Sequence, residues 1–241
     1  MKRIIKKCHR YLYLTFVISY YIALYPVIFY YSRKPSRFQK LNAVRRFYAF
    51  ISSVSAGFIY RYNIESKIDW SCNYIICANH TSNLDISAIS IAVKNNFAFM
   101  GKEELLDNPV LKIFFETIDI PLNRDSRISA FRAFKKAQEY LNAGMSLIIF
   151  PEGKIGVEFP PVLHEFKNGP FKLAIEQEVP IIPVSFINNW SKMWDDGLRY
   201  GSRPGICDIF VHTPIQTKGL SLNDTEKLKE TVYGIIESKL T

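Results

Sequence analysis

The first 46 residues contain no aspartate or glutamate, yet they carry 11 lysines and arginines. The other 195 residues hold 20 basic and 22 acidic side chains, so the net charge of +9 belongs to the N-terminus alone. A basic tail of this kind serves nucleic acid or an anionic membrane. Here it brackets an apolar run, which favours the membrane and argues against nucleic acid. Cysteine is scarce: Cys8, Cys72, Cys77 and Cys207 form no CxxC pair. That argues against a zinc site or a disulfide framework and fits reduced thiols in a cytosol-facing protein. There is no GxSxG elbow, no cysteine in a nucleophile motif and no HExxH spacing. Internal repeats and low-complexity tracts are absent as well. What remains is a chain of 241 residues, 48% hydrophobic and 15% aromatic. It is long enough for one domain with a modest appendage.

Tyr11 to Tyr31 contains no charged residue. As a helix this run reaches roughly 30 Å, about one hydrocarbon thickness. It is long for a signal peptide, and no small-residue cleavage site follows. Lysine and arginine flank both ends, which the positive-inside rule allows only if the segment enters and returns on one side. A second apolar stretch, Phe47 to Tyr60, follows a turn near Pro35. The expectation is a helical pair lying in one leaflet, with a spanning helix as the rival. We therefore divide the chain into a membrane-associated segment, 1–62, and a catalytic domain, 63–241.

Beyond Trp70, short apolar runs alternate with helical stretches. "NYIICA", "FAFMG", "IDIPL", "MSLIIF", "VPIIPVSFIN" and "CDIFVHTPI" read as strands. "LDISAISIAVKNN", "NPVLKIFFETI", "RISAFRAFKKAQEYLNAG", "FKLAIEQE" and a terminal run opened by Asn223-Asp224 read as helices. This alternation indicates an α/β architecture.

Three polar constellations sit at strand exits, where α/β folds bind ligands. The first is "NHTSNLD", Asn79 to Asp85. Five helical residues turn through about 500°, so His80 and Asp85 meet only if the histidine lies in the loop and the acid in the first helical turn. Thr81, Ser82 and Asn83 are residues that build such turns and caps. A carboxylate on one ring nitrogen fixes the tautomer and leaves the other free to take a proton, which makes a general base with its orienting acid. The second is "IIFPEGKIG", where Pro-Glu-Gly-Lys ends a buried strand. It offers backbone N–H groups and a cation to an anionic head group. The alternative for Glu152 is a solvated turn acid. The third is "PLNRDSR", with Arg124 and Arg127 at another strand exit. They are either forks for phosphate or carboxylate or surface charge before a helix.

Together these motifs resemble the glycerolipid acyltransferases, of bacterial type, that make phosphatidic acid from lysophosphatidic acid. The resemblance rests on NHxSxxD as Asn79 to Asp85, an arginine after a strand as Arg124, FPEG as Phe150 to Gly153, and an Ile/Pro-rich strand as Val179 to Val184. It implies a seven-stranded mixed sheet with helices and an N-terminal membrane-embedded helical pair. It implies His80 as base and Asp85 as its partner. Asn79, Ser82, Arg124, Glu152, Gly153 and Lys154 are its expected substrate-binding residues. The family commonly continues FPEG with Thr-Arg-Ser, whereas Lys154-Ile155-Gly156 stands here, and Lys154 is expected to replace the missing arginine as a point charge. The implied reaction moves an acyl chain from acyl-CoA or acyl carrier protein to a membrane lyso-lipid. No metal or cofactor is called for, and the expected site is the cytoplasmic face of the inner membrane.

Rival readings are acylation of a different lyso-lipid, such as an amino-acid lipid, a transacylase that takes its chain from a phospholipid, a hydrolase activating water, and a non-catalytic membrane-binding module. Of the remaining histidines, His9 is expected in solvent, and His164 and His212 are expected as satisfied structural groups. Trp190 and Trp194 are expected to pack, with headgroup contact as the alternative.

Overall fold

The computed structural model describes residues 2 to 240. Two antiparallel helices come first, α1 (Lys2–Ser32) and α2 (Phe38–Ser55). Then follow β1 (Phe58–Ile64), β2 (Ile75–Ala78), α3 (Leu84–Ala92), β3 (Phe97–Lys102), α4 (Lys112–Phe115), β4 (Ile120–Leu122), α5 (Arg127–Asn142) and β5 (Ser146–Ile149). The chain ends with α6 (Gly169–Glu176), β6 (Ile181–Phe186), α7 (Asn189–Lys192), β7 (Gly205–Val211) and α8 (Thr225–Glu237). The strands form one seven-stranded mixed sheet in the order β1-β7-β6-β2-β5-β3-β4. All neighbours are parallel except β6 and β7.

The central strands β2, β5 and β6 are buried at every residue. Such unbroken apolar runs belong to parallel strands covered on both faces. Because side chains alternate, Ile75 and Cys77 pack into one apolar cluster with α5, α6 and α8, while Ile76 and Ala78 pack into a second with α3. The parallel set β2, β3, β4, β5 and β6 sends its C-terminal ends to one edge of the sheet. All three sequence constellations therefore emerge on the same side.

The N-terminal helices are part of this body. Ile28, Phe38 and Leu41 lie in the first cluster. Asn42 Nδ2 donates to the Phe97 carbonyl at 2.8 Å. Arg45 forms a two-pronged ion pair with Asp119 at 3.1 and 3.0 Å, both residues buried. At the other end, His9 is half-buried and bonds Ser202 Oγ and the Ala56 carbonyl, which corrects the expectation of a solvated ring. Three other expectations shift. The stretch Phe47 to Tyr60 is helix only to Ser55, because its last residues enter β1 beside β7. The 62/63 division therefore cuts a strand, and the sheet begins at Phe58. Only Lys112–Phe115 of the expected 108–118 helix is α-helical, with flanking turns held by Asn108. The turn before α8 is capped by Ser221 and Asp224 bonding each other's backbone, rather than by Asn223.

Candidate active site

β2 ends at Ala78, and the loop that follows is locked from several sides. The Asn79 amide is buried and spends both its groups on β6: Nδ2 donates to the Phe186 carbonyl at 3.1 Å, and Oδ1 accepts the Phe186 N–H at 2.7 Å. Asn79 is thus a clamp between two strand ends, which corrects the expectation that it touches substrate. Ser82 is corrected likewise. It is fully buried, and its Oγ accepts the Leu84 N–H at the start of α3.

Asp85 lies in the first turn of α3, where the five-residue spacing requires it. Its Oδ2 faces His80 Nδ1 at 3.0 Å and also accepts the Thr81 and Ser82 amides at 2.8 and 2.9 Å. Its Oδ1 accepts Asn189 Nδ2 at 2.7 Å. An ionised carboxylate only accepts, so Nδ1 carries the ring proton and Nε2 presents a lone pair. The His80 side chain keeps 14% of its surface accessible, so that lone pair has an outlet. Phe150 stacks on the imidazole, with centroids 4.0 Å apart.

Glu152 is buried and ties this loop to the next. Its Oε1 accepts the His80 N–H at 2.7 Å and its Oε2 the His164 N–H at 2.9 Å. Burial pushes its carboxyl above the usual range, against the pull of these two donors. Glu152 therefore positions the base from behind, and the solvated-acid alternative is set aside. Gly153 adopts φ +77°, open to glycine at little cost, and a Cβ there would run into the Arg124 guanidinium. Arg124 is thereby laid across the Pro-Glu-Gly loop. Lys154, the next residue, is exposed and lies outside the lining of the pocket that Arg124 borders.

Asn189 and Phe150 were not singled out as site residues by sequence reasoning. Asn189 lies 104 residues from Asp85, and no local spacing signals such a pairing. Phe150 is part of the FPEG motif, and that was the available signal. His212 packs against Ser185 at 2.9 Å, as a satisfied structural histidine. His164 lends the site its backbone N–H, while its ring pairs with Glu158. Trp194 is buried against Phe159 and Tyr200, and Trp190 also meets Phe159.

A mixed sheet with an Asp-oriented histidine at the C-terminal edge of its parallel strands, backed by a buried glutamate, defines an α/β enzyme-type site suited to general-base chemistry. The acyltransferase family matches residues 60–187, a little over half of the chain, and the chain belongs to that family. It is 31% identical over 167 residues to a putative 1-acyl-sn-glycerol-3-phosphate acyltransferase of Caenorhabditis elegans, an alignment covering 67% of this chain and 57% of the worm protein. It is 29% identical over 174 residues to the 1-acyl-sn-glycerol-3-phosphate acyltransferase of Haemophilus influenzae, covering 69% and 68%. The fold is that of the crystal structure of the 1-acyl-sn-glycerophosphate acyltransferase of Thermotoga maritima: TM-score 0.80 at 24% identity, over 100% of this chain and 96% of that one. The matched region spans little more than half the length of several curated relatives.

Proposed function

We propose that this chain transfers a fatty acyl group from an acyl thioester to the free hydroxyl of a membrane lyso-lipid, with 1-acyl-glycerol-3-phosphate as acceptor and phosphatidic acid as product. The observation that carries the reading is the His80–Asp85 pair with, among the described residues, no hydrogen bond to Nε2 and no serine or cysteine poised beside it. Ser82 is buried and bonded, and burial keeps the Cys77 thiol protonated. The nucleophile is then the substrate's hydroxyl. His80 Nε2 takes its proton as the oxygen attacks the thioester carbonyl. The imidazolium, held by Asp85, returns the proton to the departing thiolate as the C–S bond breaks. One ester forms and one thiol leaves, with no net change at the histidine. Arg124, laid over Gly153, faces the acceptor's phosphate.

The helical pair supports a reading in which the enzyme lies on one leaflet, at the cytoplasmic face of the membrane. α1 is long and apolar enough to cross a bilayer, but both its ends contact the same body: Lys6 and Arg10 bond the 196–202 loop, and Ile28 enters the core. Attachment of both ends to one folded body supports a helix that lies in an interface rather than one that spans it.

The test is acyl transfer by purified protein in bilayer discs. Radiolabelled acyl-CoA and acyl carrier protein are offered with lysophosphatidic acid, other lysophospholipids and amino-acid lyso-lipids, and a labelled phospholipid serves as the transacylase control. We expect label in phosphatidic acid, and loss of transfer in His80→Ala with folding retained. Wild-type turnover in His80→Ala would eliminate the base assignment. Label moving only from phospholipid would show a transacylase.

A further inference from the structure

A pocket of about 320 Å³ opens beside the catalytic pair, between the C-terminal ends of β3 and β5 and helices α5 and α6. Leu122, Ala133, Phe134, Ile149 and Leu173 give it an apolar lining. Phe150 forms one wall, and the same ring stacks on His80, so the pocket adjoins the base. Two cations border this space, Arg124 and Lys167. Among the described residues neither is in a salt bridge. Burial lowers the pKa of the Arg124 guanidinium, and the nearby Glu104 partly offsets this. The Lys167 N–H donates to the Pro151 carbonyl at 3.0 Å, which ties the backbone of this exposed lysine to the same Pro-Glu-Gly loop that Arg124 crosses at Gly153.

An apolar pocket with two uncommitted cations on its border is built for an amphiphile with an anionic head. Among the described residues Lys167 has no salt-bridge partner, and it borders this pocket, whereas Lys154 does not. We propose that Lys167 is the second headgroup cation of the acceptor site, acting with Arg124 from the border of this pocket on the phosphate of a lyso-lipid. This rests on the acyl-transfer reading above and names the residue that confers its preference for a charged acceptor. A fork from Arg124 and a point charge from Lys167 together neutralise a dianionic phosphate better than either alone.

Binding is measured apart from chemistry, in the His80→Ala background, with radiolabelled lysophosphatidic acid and neutral monoacylglycerol in mixed micelles. Lys167→Ala is expected to weaken lysophosphatidic acid by roughly ten- to a hundredfold and to leave monoacylglycerol unchanged. Lys167→Arg should restore most of the affinity, and Lys154→Ala should change neither ligand. With His80 intact, Lys167→Ala should raise KM for lysophosphatidic acid while kcat holds, as expected of a contact shared by ground and transition states. Unchanged lysophosphatidic acid binding in Lys167→Ala, or an equal loss of both ligands, overturns the proposal. So does a wild-type affinity for inorganic phosphate equal to that for the lipid, which would mark a free-anion site. If wild type binds lysophosphatidic acid through Lys167 but transfers no acyl group to it, the headgroup site stands and the reaction reading fails. If wild type acylates it and Lys167→Ala is indifferent, the reaction stands and this proposal fails.

Discussion

One oxygen of Asp85, Oδ2, holds both the ring and the backbone of the histidine loop: His80 Nδ1 at 3.0 Å, the Thr81 N–H at 2.8 Å and the Ser82 N–H at 2.9 Å. The acid therefore sets the tautomer of the base and the path of the chain that carries it. In Asp85→Asn an amide nitrogen at that point would face two N–H donors. Turned the other way, it would face Asn189 Nδ2 and oblige that amide to flip, and in either case the ring loses its charged partner. We expect kcat to fall by roughly 10³- to 10⁴-fold, the scale seen when an orienting carboxylate becomes an amide, together with a lowered Tm. Asn189→Ala removes only the outer contact and should cost far less, about tenfold or under. Equal losses in the two variants would show that the loop, rather than the imidazole, is what Asp85 governs.

The histidine–acid pair was legible because its physics is local. Five residues, a turn-forming trio and a helix start place both groups without help from the rest of the chain. The α/β class was legible because the central strands are apolar without interruption. Asn79 and Ser82 were misread because their neighbours in space come from elsewhere: the Asn79 amide closes on Phe186, 107 residues away. The same holds for Asn189. That Lys167 and not Lys154 borders the pocket beside Arg124 depends on how the loop after β5 folds back on α6, which local spacing does not encode. The N-terminal helices were read as an appendage because their apolar content matches both lipid and core. The polar contacts of Asn42 and Arg45, which settle their docking, depend on distant partners.

Arg45 and Asp119 should reveal how firmly α2 is docked. The guanidinium sits 4.2 Å from the Phe114 ring centroid and within reach of Phe97 and Phe99, with no water-exposed side. Burial raises the Asp119 carboxyl's pKa, and the arginine opposes that shift. Arg45→Ala leaves a carboxylate buried and unpaired, which costs about 3–5 kcal/mol. Replacing both residues, Arg45→Met with Asp119→Leu, removes the stranded charge and should recover much of that loss. Chemical denaturation of the three proteins checks it, and a double variant no more stable than Arg45→Ala would contradict the account.

His212 gives the protein a pH-sensitive interior. Burial lowers its pKa from 6.5 to about 4, with Glu65 and Lys239 nearby as opposing charges. The Ser185 hydroxyl donates to the Ile236 carbonyl, so it accepts from His212 Nε2–H, which the neutral ring supplies. Above pH 6.5 the ring is neutral folded or unfolded, and it adds no pH dependence. Between about 6.5 and 4 the unfolded chain binds a proton that the folded chain refuses, so stability falls as pH falls. Thermal unfolding from pH 7.5 to 4.5 should show this decline, and His212→Gln should flatten it. Parallel curves for the two proteins would assign the decline to other groups.

The membrane reading is best tested without cutting the chain. Deleting residues 1–60 would remove Ile28, Phe38 and Leu41 from the core and Phe58 from β1, so it would report on folding instead of anchoring. The outer faces of the helical pair offer a cleaner probe. Ile18 and Ile22 on α1 and Phe47 and Phe50 on α2 are each more than half exposed. Tyr48 donates to the Val17 carbonyl, which sets the two stretches side by side. Burying one such side chain in an apolar phase contributes about 1.5–3 kcal/mol. Phe47→Asp with Phe50→Asp should therefore weaken binding to anionic vesicles by a hundredfold or more while Tm stays within a few degrees. Raising salt to 1 M should weaken the wild type only in part, because charge attraction is screened and apolar insertion is not. Activity on a lyso-lipid presented in vesicles should fall with binding in the double variant, yet return toward wild type when the same lipid is supplied in detergent micelles. Full release of the wild type by salt alone, or vesicle binding untouched by the two aspartates, would show that this face does not enter the bilayer.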